Sequence, residues 1–205
     1  METLTGYKQV NLLEMLEEIG EDGVKRILSN FSCPLNPDVE SFLLDKSILF
    51  SNQSLGATHL VFTSYKQEVV LVGYYALAYK SVIIKERDVS SRWRRRLNRF
   101  AIHDQELHRY YIALPLIGQL GKNFSRGYDS LITGDELLKM ACDKIRSIQL
   151  AISGKIAYLE CEDIPALTSF YERNGFSRFA NRNLDKDEIP ETKTPYLVQM
   201  IKYFD

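Results

Sequence analysis

The stretch "ALTSFYERNGFSRF", residues 166–179, decides how this chain is read. A helix around "IPALTSFYER" (164–173) carries Tyr171 at its end and runs at once into Asn174-Gly175-Phe176. Phe170 already supplies a ring for packing. Tyr171 therefore has two readings: a second core aromatic with its hydroxyl at the rim, or a phenol with a chemical role.

Working outward, "KIAYLEC" (155–161) and "PYLVQMIKYF" (195–204) read as strands on either side of that helix, and residues from about Gly134 to Leu150 as a further helix. Before it, "LHRYYIALPLIGQL" (107–120) is a long strand whose proline and glycine favour a bend or bulge over an even ladder. "ATHLVFTSY" (57–65) and "VVLVGYYALAYKSVII" (69–84), separated by "KQE", form an antiparallel hairpin. At the N-terminus, Leu12, Leu13, Leu16, Ile19, Val24, Ile27 and Leu28 recur at helical spacing, with a break at "GEDG" (20–23) that predicts two short helices. "CPLNPDVESFLLDKSILF" (33–50) opens a helix on Asn-Pro. Antiparallel strands early and alternating strand and helix late predict an α+β domain around a mixed sheet. We find no repeat and no linker, so residues 1–205 read as a single domain. Residues 1–30 are a helical N-terminal extension and 85–107 a basic helical insertion between strands.

With 205 residues, 45% apolar and 26% charged, the chain can bury a proper core. A formal net charge of -1 argues against wholesale attraction to nucleic acid or anionic membrane, although a local basic surface stays open. The longest apolar run, residues 69–79, is too short to span a bilayer, and the first residues lack a cationic apolar signal. A cytoplasmic protein is expected, with no membrane partner. Cys33, Cys142 and Cys161 are odd in number and widely spaced, which predicts reduced, mostly buried thiols.

The order of elements and five local strings resemble the GNAT family, the acetyl-CoA-dependent N-acetyltransferases, over roughly residues 31–204. The strings are "LVGYYAL" (71–77), "LIGQLGKN" (116–123), "ITGDELLKMA" (132–141), "AYLECED" (157–163) and "FYERNGF" (170–176). The resemblance implies the acyl-CoA N-acyltransferase fold, with a bulged, V-splayed central sheet flanked by helices. "FSCPLNPDVESFL" (31–43), "VGYYAL" and "LIGQL" look most like the toxin-related bacterial branch, some members of which acetylate the amino group of aminoacyl-tRNA.

By that resemblance acetyl-CoA is the cosubstrate and a primary amine the acceptor. Leu120, Gly121 and Lys122 would offer backbone groups to the pantetheine arm. The family's cofactor loop usually reads Arg or Gln, two residues, Gly, one residue, Gly or Ala. Here "GQLGKNFSRGYDSLITGDELL" (118–138) stretches it, leaving Gly127 and Gly134 as counterparts of its glycines. Such a loop turns backbone N–H groups toward a pyrophosphate at a positive helix end, near Ile132 and Thr133 here. Lys122 and Arg126 could add charge. The alternative is that "TGDE" (133–136) is only a capping box, Thr133 capping and Glu136 reaching back, with Asp135 and Glu136 repelling phosphate.

Amide formation from a thioester needs a deprotonated amine, a polarised carbonyl and a proton for the departing thiolate. Tyr171 matches the family's tyrosine beside the cofactor sulfur, and a phenol near pKa 10 can supply that proton. The general base stays open among Glu106, His108, Glu160, Glu162 and Asp163, the last also a candidate N-cap with Pro165 near N1. His59, His103 and His108 lack metal-ligand spacing, so no metal is expected.

In "SRWRRRLNRF" (91–100), Ser90 or Ser91 caps a helix with Trp93, Leu97 and Phe100 on one side and Arg92, Arg94, Arg95, Arg96 and Arg99 elsewhere. The arginines form either a solvated face or a patch for RNA phosphates. Three functional classes follow: an acetyltransferase acting on a small amine, a protein amine or aminoacyl-tRNA; a catalytically silent acyl-CoA-binding or protein-interaction module on the same fold; and a nucleic-acid-binding protein resting on the arginine helix alone. A homodimer is left open.

Overall fold

The computed structural model describes residues 6–184 and 194–205. In chain order its elements are β1 (Tyr7–Asn11), α1 (Leu12–Leu28), α2 (Pro37–Ser41), α3 (Ser47–Asn52), β2 (Ala57–Tyr65), β3 (Glu68–Lys85), α4 (Ser91–Leu97) and β4 (Ile102–Asp104). Then follow β5 (Arg109–Lys122), α5 (Gly134–Ile152), β6 (Ile156–Glu162), α6 (Pro165–Arg173), β7 (Ser177–Asn183) and β8 (Tyr196–Tyr203). Among the described residues the strands form one eight-stranded mixed sheet in the order β1-β2-β3-β5-β6-β8-β7, with β4 paired to β5. The chain divides into two compact units, Met1–Ala78 with Ile117–Asp143, and Tyr79–Leu116 with Lys144–Asp205.

In the first unit, the helical reading of residues 1–30 is corrected at its start. Tyr7–Asn11 is a strand, paired antiparallel with β2 from Tyr7 opposite Thr63 to Asn11 opposite His59. Asn11 then caps α1, its side-chain oxygen accepting from the Leu13 N–H at 2.8 Å. The break expected at "GEDG" is a kink within α1, where Gly20 takes φ 70° and ψ 170°. Leu12, Val24 and Leu28 of α1 pack with Phe31, Leu43, Leu60 and Tyr74 in one buried cluster. Each large apolar side chain so enclosed contributes about 1.5–3 kcal/mol. Asn36 caps α2 with Pro37 in its first turn, and one turn of π-helix, Phe42–Lys46, leads into α3. The β2–β3 hairpin closes through Lys66 and Gln67, both at positive φ, which is the turn whose twist matches the strands.

The second unit is built on Val82, Ile84, Trp93, Leu97, Tyr110 and Tyr158, with further apolar residues around them. Ser90 is the α4 cap, its hydroxyl accepting from the Trp93 N–H at 3.4 Å. Residues 85–107 hold more than a helix, because Ile102–Asp104 is a strand paired with Arg109–Tyr111. β8 lies between β6 and β7, antiparallel to both, with a register shift between Arg178 and Ala180. No helix among the described residues is long and apolar enough to cross a membrane.

Candidate active site

The end of α6 has a specific local cause. Asn174 returns its side-chain amide to the Phe170 carbonyl at 2.9 Å, and Gly175 adopts φ 85°, a conformation costly for other residues. The Gly175 N–H then bonds Glu172 O at 2.9 Å, and the Phe176 N–H bonds Tyr171 O at 3.1 Å. These bonds turn the chain so that Phe176, only 3% exposed, enters the core. The half-buried Tyr171 ring is held against Phe170 at 4.9 Å and Phe176 at 5.9 Å, both edge-on. The helix start differs from expectation. Ile164 is the cap residue with Pro165 in the first turn, whereas Asp163 pairs with Arg178 at 3.1 Å and accepts from the Tyr196 hydroxyl at 2.6 Å. The hydrogen bonds from Tyr196 and Arg178 hold the Asp163 carboxyl below its ordinary value.

Leu120, Gly121, Lys122, Arg126, Gly127, Ile132, Thr133 and Gly134 all fall in the first unit, whereas Tyr171 belongs to the second. Leu120, Gly121 and Lys122 close β5, and Gly121 is buried for a steric reason. A Cβ there would sit 2.3 Å from Val39 Cγ1. Gly121→Ala should therefore cost about 1–3 kcal/mol as overpacking of a short, β-branched neighbour. Denaturant melts should show less loss when Val39→Ala is added than the two single changes sum to. An additive pair would mean that the clash is relieved elsewhere.

Lys122 turns its ammonium to Asp129 O at 2.8 Å. Beyond it, Asn123 is fully buried and satisfied by four hydrogen bonds. Its oxygen accepts from the Ser32 and Ser125 N–H groups, and its amide donates to Asn30 O and Leu71 O. This side chain ties the loop to two distant segments, and the sequence reading missed it. A lone Asn after a strand carries no signal separating a buried anchor from a solvated turn residue.

Arg126 and Gly127 follow at φ 54° and 76°, and a Cβ on Gly127 would meet nothing within 4 Å. Ile132 is buried. The capping box is present in full: Glu136 accepts from the Thr133 N–H at 2.8 Å and hydroxyl at 2.7 Å, while the Glu136 N–H donates back to Thr133 Oγ1 at 3.1 Å. These bonds hold the Glu136 carboxyl below its ordinary value. Gly134 opens α5. Arg126, Tyr128 and Asn123 line a cavity of about 720 Å³ whose wall includes Ile27, Phe62 and Leu71.

Among the base candidates, Glu160 is the most constrained. One oxygen accepts from Lys80 at 3.1 Å and from the Tyr158 hydroxyl; the other takes Lys80 at 3.0 Å and Arg182 at 3.0 and 2.8 Å. Burial pushes its pKa up, but bonds from Arg182, Tyr158 and Lys80 outweigh that and leave it lowered. Tyr158, also bonded by Gln199 at 2.6 Å, is pushed far up by burial and by Glu160. Glu106 is exposed and Glu162 half-buried. His108 lies 3.4 Å from Glu86, which also holds His103. Among the described residues no group of three or more metal-ligating side chains is suited to a metal ion. Cys33, Cys142 and Cys161 are buried and form no disulfide among the described residues.

The arginine face of α4 divides. Arg94 donates to Val89 O at 3.3 Å, and Arg96 lies 3.9 Å over Tyr203 and 3.4 Å from Asp205. Arg92, Arg95 and Arg99 are exposed, and their side chains have no hydrogen bond or ion pair among the described residues.

A mixed sheet in which β5 passes through an extended loop into α5, and β6 through α6 into β7, is the GNAT-like acyltransferase fold. Solved structures sharing it include a protein described as a bacterial toxin (TM-score 0.61, 18% identity, covering 96% of this chain and 90% of that one). Another is AtaT complexed with acetyl-methionyl-tRNAfMet (TM-score 0.60, 16% identity, 94% and 93%). A third is AtaTR bound with AcCoA (TM-score 0.55, 14% identity, 95% and 94%). No protein-family model matches the chain. No curated protein matches it in sequence.

Proposed function

We propose that this protein is an N-acetyltransferase that moves the acetyl group of acetyl-CoA to a primary amine by direct attack. The observation that carries the reading is Tyr171, a phenol on a helix end fixed by the Gly175 turn and buried Phe176, on the GNAT-like fold. The amine nitrogen forms its bond to the thioester carbonyl carbon, the carbon–sulfur bond breaks, and the Tyr171 hydroxyl gives its proton to the departing thiolate, while the proton lost by the nitrogen passes to water, from which the Tyr171 phenolate is reprotonated. Backbone groups of Leu120, Gly121 and Lys122 hold the pantetheine arm in this reading, and the loop from Arg126 to Gly134 takes the pyrophosphate. The open space beside Gly127 and the cavity lined by Arg126 support that assignment. Glu160 and Asp163, committed to cations and phenols, are poor general bases.

The acceptor class best supported is aminoacyl-tRNA. Two observations favour it: the likeness to AtaT, solved with acetyl-methionyl-tRNAfMet, and the exposed Arg92, Arg95 and Arg99 on or beside α4, whose side chains have no partner among the described residues. A silent module is favoured by the internal satisfaction of Lys122 and of the Thr133–Glu136 box. Incubation with labelled acetyl-CoA and separate pools of small amines, peptides and aminoacyl-tRNA decides among these. Transfer to the tRNA pool alone is the expected result, and no transfer to any pool leaves the silent module. Saturating acetyl-CoA at a hundred times its Kd should add about 2.7 kcal/mol to stability, read as a raised melting temperature. An unmoved transition would remove the acyl-CoA site itself.

A further inference from the structure

The second unit contains a cavity of about 350 Å³ that the transfer chemistry does not use. This is near the lower end of the roughly 300–1,000 Å³ range of ligand clefts. Its lining joins the strand residues Tyr79 and Pro115 to Arg99 and Phe100 after α4, and to Ile152 and Lys155 around the turn into β6. Tyr79 is 56% exposed, and its ring and hydroxyl have no partner among the described residues. An exposed, unpartnered aromatic beside an apolar wall presents a face on which another flat ring can stack.

The charge at the rim has one sign. Arg99 is exposed and unpaired among the described residues, Lys155 holds its ammonium only 5.7 Å over the Tyr203 ring, and no carboxylate lines the cavity. Exposed Arg92 and Arg95 continue that charge along α4. A ligand matched to this surface carries a flat ring for Tyr79 and an anionic group for Arg99 and Lys155, within a chain that meets further cations. We propose that the cavity is a subsite for one unstacked nucleotide of a single-stranded RNA, its base on Tyr79 and its phosphate at Arg99 and Lys155. The inference concerns binding and does not rest on acetyl transfer.

The test is fluorescence anisotropy of a fluorescein-labelled oligocytidylate hexamer over a salt series, with the full chain and no acetyl-CoA. Tyr79→Leu keeps apolar bulk and removes the ring. It should weaken binding roughly 5- to 100-fold with an unchanged salt slope, as loss of one stacked base does. Arg99→Gln should reduce the slope by about 0.7, one phosphate contact on a single strand. A paired Arg92→Gln, Arg95→Gln variant should reduce the slope while keeping the Tyr79 effect. Wild-type affinity in both Tyr79→Leu and Arg99→Gln would overturn the subsite. Equal affinity for a duplex of the same length would also overturn it, because stacked bases cannot enter. Should Tyr79→Leu instead dissociate a dimer in sedimentation and leave oligonucleotide binding intact, the cavity belongs to a second copy of the chain.

Discussion

Tyr171→Phe is expected to slow single-turnover acetyl transfer roughly 100- to 10,000-fold while acetyl-CoA affinity and melting temperature barely change. The substitution keeps the ring, so the edge-on contacts with Phe170 and Phe176 and the buried anchor at Phe176 persist. Only the proton donor goes. A structural tyrosine predicts the opposite pattern: about 1 kcal/mol of stability lost with a missing hydrogen bond, and full turnover by the folded enzyme. A full single-turnover rate in the Phe variant would remove Tyr171 from the mechanism. The fold assignment would be untouched, because it rests on the order of strands and helices.

Glu160→Ala should cost about 3 kcal/mol of unfolding free energy. Its side chain is 9% exposed and is shared by Lys80 and Arg182, so deletion leaves two cations beside a vacated polar site. The cost stays at the low end of the range for a broken buried pair because Lys80 is 34% and Arg182 20% exposed, and water can reach both. The folded carboxyl titrates below its ordinary value of 4.5, so its contribution is fully present above that pH and is lost as pH falls through the folded pKa. Acid melts should thus show a steeper decline below about pH 4.5 for the wild type than for Glu160→Gln. Parallel curves would mean that the carboxylate is no tighter in the fold than in the unfolded chain.

Much of the architecture was legible in the residues because it rests on local physics. Alternation and β-branched residues marked the β2–β3 hairpin, Asn36-Pro37 and the pair Ser90 or Ser91 marked two helix starts, and "GEDG" marked the kink at Gly20. The Thr133–Glu136 box was readable for the same reason, since donor and acceptor lie three residues apart. What failed was decided by strand pairing, with a distant strand for β1 and with the strand that directly follows for β4. β1 and β4 are short, and their strand state depends on neighbours that complete their hydrogen bonds. The Lys66–Gln67 turn lacks the usual Asn-Gly signal, and strand pairing imposes its positive φ.

The same division runs through the candidate site. Sequence alone singled out Tyr171 before Asn-Gly-Phe and the Thr133 helix cap as patterns in neighbouring residues, and the resemblance to the GNAT family is what gave Tyr171 and the loop to Gly134 their expected roles. Tertiary structure decided which charges are already spent. Asp163 looked like a helix cap and instead faces Arg178 and Tyr196; Glu160 looked like one of five bases and is committed to Lys80, Arg182 and Tyr158. Three of the five arginines, Arg92, Arg95 and Arg99, are left facing solvent, and only burial and partner geometry separate them from Arg94 and Arg96. Periodicity reports which face a residue shares with its neighbours, whereas the availability of a charge depends on who stands opposite it, often a hundred residues away.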